Sequence, residues 1–330
     1  MDSVSRMAKI IRFYYRHVIN MNPETHDSGI PGSTGMDWLI FRKVNRDFTY
    51  TRGKTKNGTK YEIYYPKTGA KNDNVVYYLH GGAYLGKHNW VYRYQSRYFS
   101  DAAGGATVIY VDYDVAPKAK YPTQLNQALD VWDEITGKLG FKPANICCGG
   151  DSAGGNLCLA MMLKLRDAGR ELPNGAFLFS PWTDMMGTGD SYKDNYENDS
   201  LFGINGGVLT DEKKDKLMNF DIYSWCENAD RYDPYVSPVY ADFHDFPPMC
   251  FTVGTWELLM SDTERIVDNL HSHDIPVTIF RGHHLWHVFV LFHGIIPEAT
   301  AAFSVVTNFI SDRFKTWDYK YPVDKKYRIS

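Results

Sequence analysis

A chain of 330 residues is long for one small domain and short for two large ones, which favours a single elaborated α/β or all-β core. With 36 basic and 39 acidic side chains the formal charge is −3, a balance that gives no overall electrostatic handle for nucleic acid or an acidic membrane. Phe, Trp and Tyr supply 15% of the residues, which excludes a disordered chain and implies a large core, a ligand-lined cavity, or both.

Met7, Ile11, Tyr14 and Val18 recur at helical spacing, with Ile10 and Tyr15 beside them and Arg12 and Arg16 on another face. This pattern predicts an amphipathic helix over about residues 4 to 20, suited more to packing over the body of the chain than to a membrane surface. The basic residues interrupt any secretory apolar region, and no later stretch approaches the run of about 20 apolar residues that a membrane span needs. Five cysteines, Cys147, Cys148, Cys158, Cys226 and Cys250, show no C-x-x-C spacing and read as buried reduced thiols of a cytoplasmic protein. Asn57-Gly58-Thr59 and Asn198-Asp199-Ser200 match the glycosylation pattern by chance in that setting.

Asn22 to Gly35 reads as a loop, and Ile40 to Thr51 and Lys60 to Tyr65 as strands parted by the polar turn 53–58. Strand-like runs follow at Val75–Leu79, Thr107–Val111, Ile146–Cys148, Ala176–Ser180, Met249–Val253 and Pro276–Phe280. Helical stretches lie between them near 90–103, 124–138, 156–167 and 261–273, and near 298–313 at the end. This alternation predicts one doubly wound α/β domain with a mostly parallel sheet covered on both faces. Between Asp184 and Asp233 the alternation breaks: a Gly/Asn/Asp-rich stretch precedes a helix over about Asp211 to Cys226. The insertion is long enough for a lid. Residues 38–184 and 233–330 are therefore expected to form the core, and residues 1–37 with 185–232 a helical cap in the same structural unit.

Gly150-Asp151-Ser152-Ala153-Gly154 lies between a strand and a helical run. A nucleophilic serine on a strained strand-to-helix turn needs that context, with small residues on either side to let the backbone pass closely. Upstream, His80-Gly81-Gly82-Ala83 follows a strand where backbone N–H groups can meet a developing alkoxide. Gly81, Gly82, Ala83 and, at the helix start, Ala153 are the candidate donors. An acid and a base should follow in that order. Glu257 stands after a late strand; Asp262 is its rival but sits where a helix cap is expected. After the last strand, His283, His284 and His287 all qualify as the base on pattern alone. His283 and His287 are spaced like a metal pair, but no H-E-x-x-H glutamate accompanies them, and neither metal nor organic cofactor is expected.

These residues, together with Ser180-Pro181-Trp182-Thr183-Asp184, Asp233-Pro234-Tyr235-Val236-Ser237-Pro238 and His287-Val288-Phe289, resemble the hormone-sensitive-lipase-like (family IV) carboxylesterases of the α/β-hydrolase superfamily, from about Val75 to Ile310. The resemblance implies an α/β-hydrolase fold with Ser152 as nucleophile, His287 as base and Glu257 as acid. Glu257-Leu258-Leu259 departs from the more frequent Asp-Pro-Leu, and Ala83 replaces a third glycine. The implied activity is hydrolysis of short to medium acyl esters. Amide, formamide or acetyl-ester hydrolysis and a receptor-like binding role are the alternatives, the last opposed by the presence of His287. Tyr84, Phe202, Tyr223 and Trp286 are candidate pocket residues. Asp151 reads as a turn residue and Asp112 as a brace of the oxyanion loop. Relatives suggest homodimers through the edge strand near 276–280. The aromatic residues of the cap segments favour apolar acyl or aryl esters over sugar or peptide substrates.

Overall fold

A computed structural model describes residues 4–24, 46–67 and 72–315. The predicted strand start at Ile40 and cap residues 25–37 lie outside them. Eight strands form one sheet: β1 Phe48–Lys54, β2 Lys60–Pro66, β3 Val75–Leu79, β4 Thr107–Asp112, β5 Ile146–Asp151, β6 Gly175–Phe179, β7 Met249–Gly254 and β8 Val277–Gly282, in the order β1-β2-β4-β3-β5-β6-β7-β8. Strand β2 runs antiparallel to both neighbours, and the pairs from β4 to β8 are parallel. The helices are α1 Arg6–Tyr14, α2 Trp90–Ala102, α3 Thr123–Asp133, α4 Ala153–Asp167, α5 Ser191–Asp194, α6 Asp211–Met218, α7 Met260–Ser272 and α8 Pro297–Phe314.

Every residue of β3, β5, β6 and β7 is buried, as expected of strands covered on both faces. Alternate side chains divide between two cores: Tyr77 and Leu79 join α3, α4 and α7 on one face, while Val76 and Tyr78 join α2 and α8 on the other. This is the predicted α/β-hydrolase architecture, and it brings the carboxyl ends of β3, β5, β7 and β8 to one edge.

Local differences have local causes. Strand β1 extends through Gly53, where a turn was expected, because Gly53 pairs with Tyr61, and a β-carbon at Gly53 would meet the Tyr61 ring at 2.2 Å. The turn shrinks to Thr55–Thr59, closed by the Thr55 N–H on Thr59 O at 2.9 Å. The helix expected over 211–226 stops at Met218, where Asn219 donates its side-chain amide to Asp215 O at 3.0 Å, and a 3-10 helix, Asp221–Cys226, follows. Helix α1 opens into a wider π turn, Tyr15–Ile19.

The N-terminal segment is tied to the insertion. Met21 N–H donates to Leu201 O at 2.6 Å, Asn20 Nδ2 to Gly203 O at 2.8 Å and Asn22 Nδ2 to Phe202 O at 2.6 Å. Helix α1 also sits on the core, through buried Ala8 and through Ser5, whose hydroxyl donates to Glu298 at 2.8 Å.

Candidate active site

Strand β5 ends at Asp151 and α4 begins at Ala153, which leaves Ser152 at φ 52° and ψ −122°. A non-glycine residue rarely adopts this conformation, and the surroundings hold it there. The flanking glycines are required by space: a β-carbon on Gly154 would lie 2.1 Å from Leu79 O, and one on Gly150 would lie 2.4 Å from Gly154 O.

The loop after β8 carries the three histidines in different directions. His283 and His284 stack on each other at 3.7 Å, and His284 stacks on Trp256 at 4.1 Å. His287 turns inward instead, with Nε2 2.9 Å from Ser152 Oγ and Nδ1 3.0 Å from Glu257 Oε2. A carboxylate can only accept, so Nδ1 carries the proton and Nε2 is left to accept from the serine. Glu257 is fully buried, and its other oxygen, Oε1, accepts the Ser180 hydroxyl at 2.7 Å and the Gly254 N–H.

Asp262 lies elsewhere. Its Oδ2 accepts the N–H groups of Thr183 and Asp184 at 2.7 and 2.8 Å, fastening the turn after β6. Burial, reinforced by nearby Asp184, holds its carboxyl well above the usual carboxylate range. Nor is it a helix cap, because α7 starts two residues earlier, at Met260.

The loop after β3 corrects one expected donor. Gly81 N–H is spent on Asp151 Oδ1 at 2.9 Å and faces away from any oxyanion role. Gly82, Ala83 and Tyr84 follow with φ of 107°, 51° and 58°, and the loop closes through Leu85 and Gly86 N–H on Gly82 O at 2.9 and 2.7 Å. Among the described residues no acceptor takes the N–H of Gly82, Ala83 or Ala153. Asp151 does more than hold a turn: it also accepts the hydroxyls of Tyr78 at 3.0 Å and Tyr92 at 3.3 Å, and burial pushes its carboxyl up to about 6. Asp112, the expected brace, instead ends β4 opposite Lys60, and Tyr113 supplies the second support by donating to His80 O at 2.7 Å and stacking on its ring at 4.1 Å. His80 itself is buried, and desolvation lowers its pKa to about 3.

Above Ser152 and Ala83 lies a pocket with about 370 Å³ of empty space, its mouth included. Phe202 and Tyr223 are in its wall as expected, Phe202 standing edge-on to His287 at 5.7 Å. The other two expected residues are not. Tyr84 is buried behind the wall, its hydroxyl donating to Asn156 Oδ1 at 2.7 Å and its ring 4.0 Å from Trp225. Trp286 points to the opposite core, against Tyr15 at 5.9 Å and Phe292 at 5.6 Å, because it precedes the inward-turned His287. The remaining wall comes from Trp182, Tyr192, Leu217, Ile222, Leu258 and Leu259, which sequence pattern did not single out. Two positioning residues were also missed. Ser180 opens the Ser180-Pro181-Trp182-Thr183-Asp184 run and Asp199 falls within Asn198-Asp199-Ser200, and neither pattern signals a link to the acid. Asp199 is buried, accepting Leu201 and Phe202 N–H at 2.7 and 2.8 Å and, across the cleft, Leu258 N–H at 2.7 Å beside Glu257.

Residues 76–291 match the family described by its alpha/beta hydrolase fold. An esterase of Acinetobacter venetianus is 30% identical over 246 residues, covering 74% of this chain and 76% of its own. An acetyl-hydrolase of Streptomyces hygroscopicus is 28% identical over 240 residues, covering 73% and 76%. The crystal structure of an esterase from the bacterial hormone-sensitive lipase family superposes with a TM-score of 0.75 at 25% identity, covering 94% of this chain and 99% of that one.

Proposed function

The chain belongs to the α/β-hydrolase fold family, as an esterase- and lipase-like hydrolase of the hormone-sensitive-lipase branch, and on that premise we propose that it cleaves carboxylic esters of short to medium acyl chains through Ser152, His287 and Glu257. One observation carries the reading: the run of contacts from Ser152 Oγ to His287 Nε2 at 2.9 Å and from His287 Nδ1 to Glu257 at 3.0 Å.

His287 takes the Ser152 proton as Oγ attacks the ester carbonyl, and Glu257 stabilises the imidazolium that forms. The N–H groups of Gly82, Ala83 and Ala153 receive the oxyanion. His287 then protonates the departing alcohol. Water, deprotonated by the same imidazole, attacks the acyl-enzyme, and the carboxylic acid leaves as Ser152 regains its proton.

The largely apolar wall formed by Trp182, Leu217, Ile222 and Leu259 suits an acyl or aryl group better than a sugar. The names of two relatives, acetyl-hydrolase and acetyl esterase, favour an acetyl group at the small end of that range. Residues 185–232 with the N-terminal segment act as the cap. Five buried free cysteines suit a reducing, cytoplasmic compartment, and no helix among the described residues is long and apolar enough to cross a membrane. Strand β8 ends the sheet and offers its open edge to a second copy.

Release of p-nitrophenol from acetate and butyrate esters tests the activity, beside the matching anilides. Ser152→Ala should lower kcat by about 10⁴-fold or more. An unchanged rate, or anilides cleaved better than esters, overturns the reading.

A further inference from the structure

The net charge of −3 conceals a strongly cationic end. From Val4 to Pro23 the sequence has no Asp or Glu, yet it carries Arg6, Lys9, Arg12, Arg16 and His17. Helix α1 packs inward through Ala8 and Ile11, and the π turn through Tyr15. Its outward half is not the polar face expected of a helix lying on a core. Among the described residues, eight large apolar side chains are strongly exposed. Five belong to this helix and its π turn: Met7 45%, Ile10 54%, Phe13 64%, Tyr14 51% and Val18 51%. Arg6, Lys9 and His17 are exposed among them.

Along the edge of this face runs an open cleft with about 700 Å³ of empty space, its mouth included, lined by Lys9, Arg12, Phe13, Arg16, His17 and Trp256 among others. The hydrogen bonds of Arg12 and Arg16 go to neutral groups: His284 O for Arg12, and Asn198 O, Glu197 O and the Asn205 amide oxygen for Arg16. Glu197 and Asp199 lie within electrostatic reach of Arg16, but the Asp199 carboxylate is engaged by three backbone N–H groups. The cleft therefore presents guanidinium and ammonium groups to an anion.

We propose that the outward face of α1 docks this enzyme on an anionic phospholipid surface, with Ile10, Phe13 and Tyr14 entering the interface and Lys9, Arg12 and Arg16 meeting lipid phosphates. Apolar side chains flanked by cations with no acid on the helix itself have the composition of an interfacial helix, the exposed Glu197 beside Arg16 being the one acid at its edge among the described residues. A second copy of the chain fits less well, because face-to-face pairing of α1 sets cations against cations. Docking also has a bearing on the catalytic pocket. Asn198 and Asn205 line the cationic cleft and Phe202, on the same loop, lines the pocket above Ser152, so one loop stands between the lipid and the nucleophile.

The test is co-sedimentation of the full chain with vesicles of phosphatidylcholine alone or containing about 30% phosphatidylglycerol. The protein should pellet with the anionic vesicles, more weakly as salt rises. The double variant Ile10→Glu/Phe13→Glu should stay in the supernatant, and Arg6→Glu/Lys9→Glu should bind about tenfold more weakly or worse. Turnover of soluble p-nitrophenyl acetate by both variants should match the parent, which shows that the fold is intact. Failure of the parent to pellet, or equal pelleting of the variants, overturns the proposal. So does a concentration-dependent dimer that the Ile10→Glu/Phe13→Glu variant dissolves, which would assign the face to a second copy.

Discussion

The Ser180 hydroxyl donates to Glu257 Oε1 at 2.7 Å, and its oxygen accepts the Val288 N–H at 3.1 Å. One side chain thus fixes the buried acid and the loop that carries His287. Ser180→Ala should lower kcat about tenfold through a looser imidazole while leaving KM within about twofold. Steady-state kinetics on p-nitrophenyl butyrate decide this, and an equal loss in KM would show that Ser180 serves substrate binding instead.

Glu257 and Asp262 should separate cleanly. Glu257→Gln removes the charge that supports an imidazolium and should lower kcat by about 10³ to 10⁴-fold. Asp262 accepts the Thr183 and Asp184 N–H groups away from His287, so Asp262→Asn, which keeps an acceptor for them, should leave kcat within about threefold. The reverse ranking would exchange their roles.

Asp151 supplies a pH signature in stability. Its carboxyl is raised by burial to about 6, above its ordinary 3.8. Between those values the folded state holds the proton and the unfolded state does not. The resulting stabilisation is complete below about pH 4 and is lost as pH rises through about 6. Asp151→Asn does not titrate. The parent-minus-variant difference in unfolding free energy should therefore fall by roughly 2–3 kcal/mol from pH 4 to pH 7. Denaturant melts at the two pH values measure it, and a constant difference would place the Asp151 carboxyl in its ordinary range.

Ile222, in the pocket wall, and Trp286, in the opposite core, should respond differently. Ile222→Ala enlarges the pocket and should shift preference toward longer acyl chains, read as a rise in the octanoate-to-acetate ratio of kcat/KM. Trp286→Ala empties a site in the far core and should lower stability by about 3–5 kcal/mol without changing that ratio. A specificity change in the second variant would return Trp286 to the pocket wall.

What the sequence made legible follows from range. Ser152 and Gly150 are readable because a strained turn and the close approach of Gly150 to Gly154 are decided within a few residues. The strand–helix alternation was readable because burial on both faces leaves continuous apolar runs such as Val75–Leu79. His287 could not be separated from His283 and His284 by pattern, since the left-handed Val288 that follows it, at φ 56°, leaves no signature in a non-glycine residue. Asp151 and Gly81 meet across 70 positions, and Asp199 and Leu258 across 59, so neither pairing has a local trace. The facing of aromatic side chains is illegible for a related reason. Composition counts the aromatic residues of the expected cap but cannot say which way each faces; Phe13 and Tyr14 point to solvent, and Trp225 packs on Tyr84.

The loop from Tyr196 to Gly203 is held on one side by Asn20, Met21 and Asn22, and on the other gives Phe202 to the pocket and Asp199 to the backbone beside Glu257. Doorway and machinery therefore share a single support. Any displacement of this loop would release the Leu258 N–H from Asp199, next to Glu257. The N-terminal asparagines, far from the serine in sequence, thus brace the backbone beside the catalytic acid as well as the pocket wall.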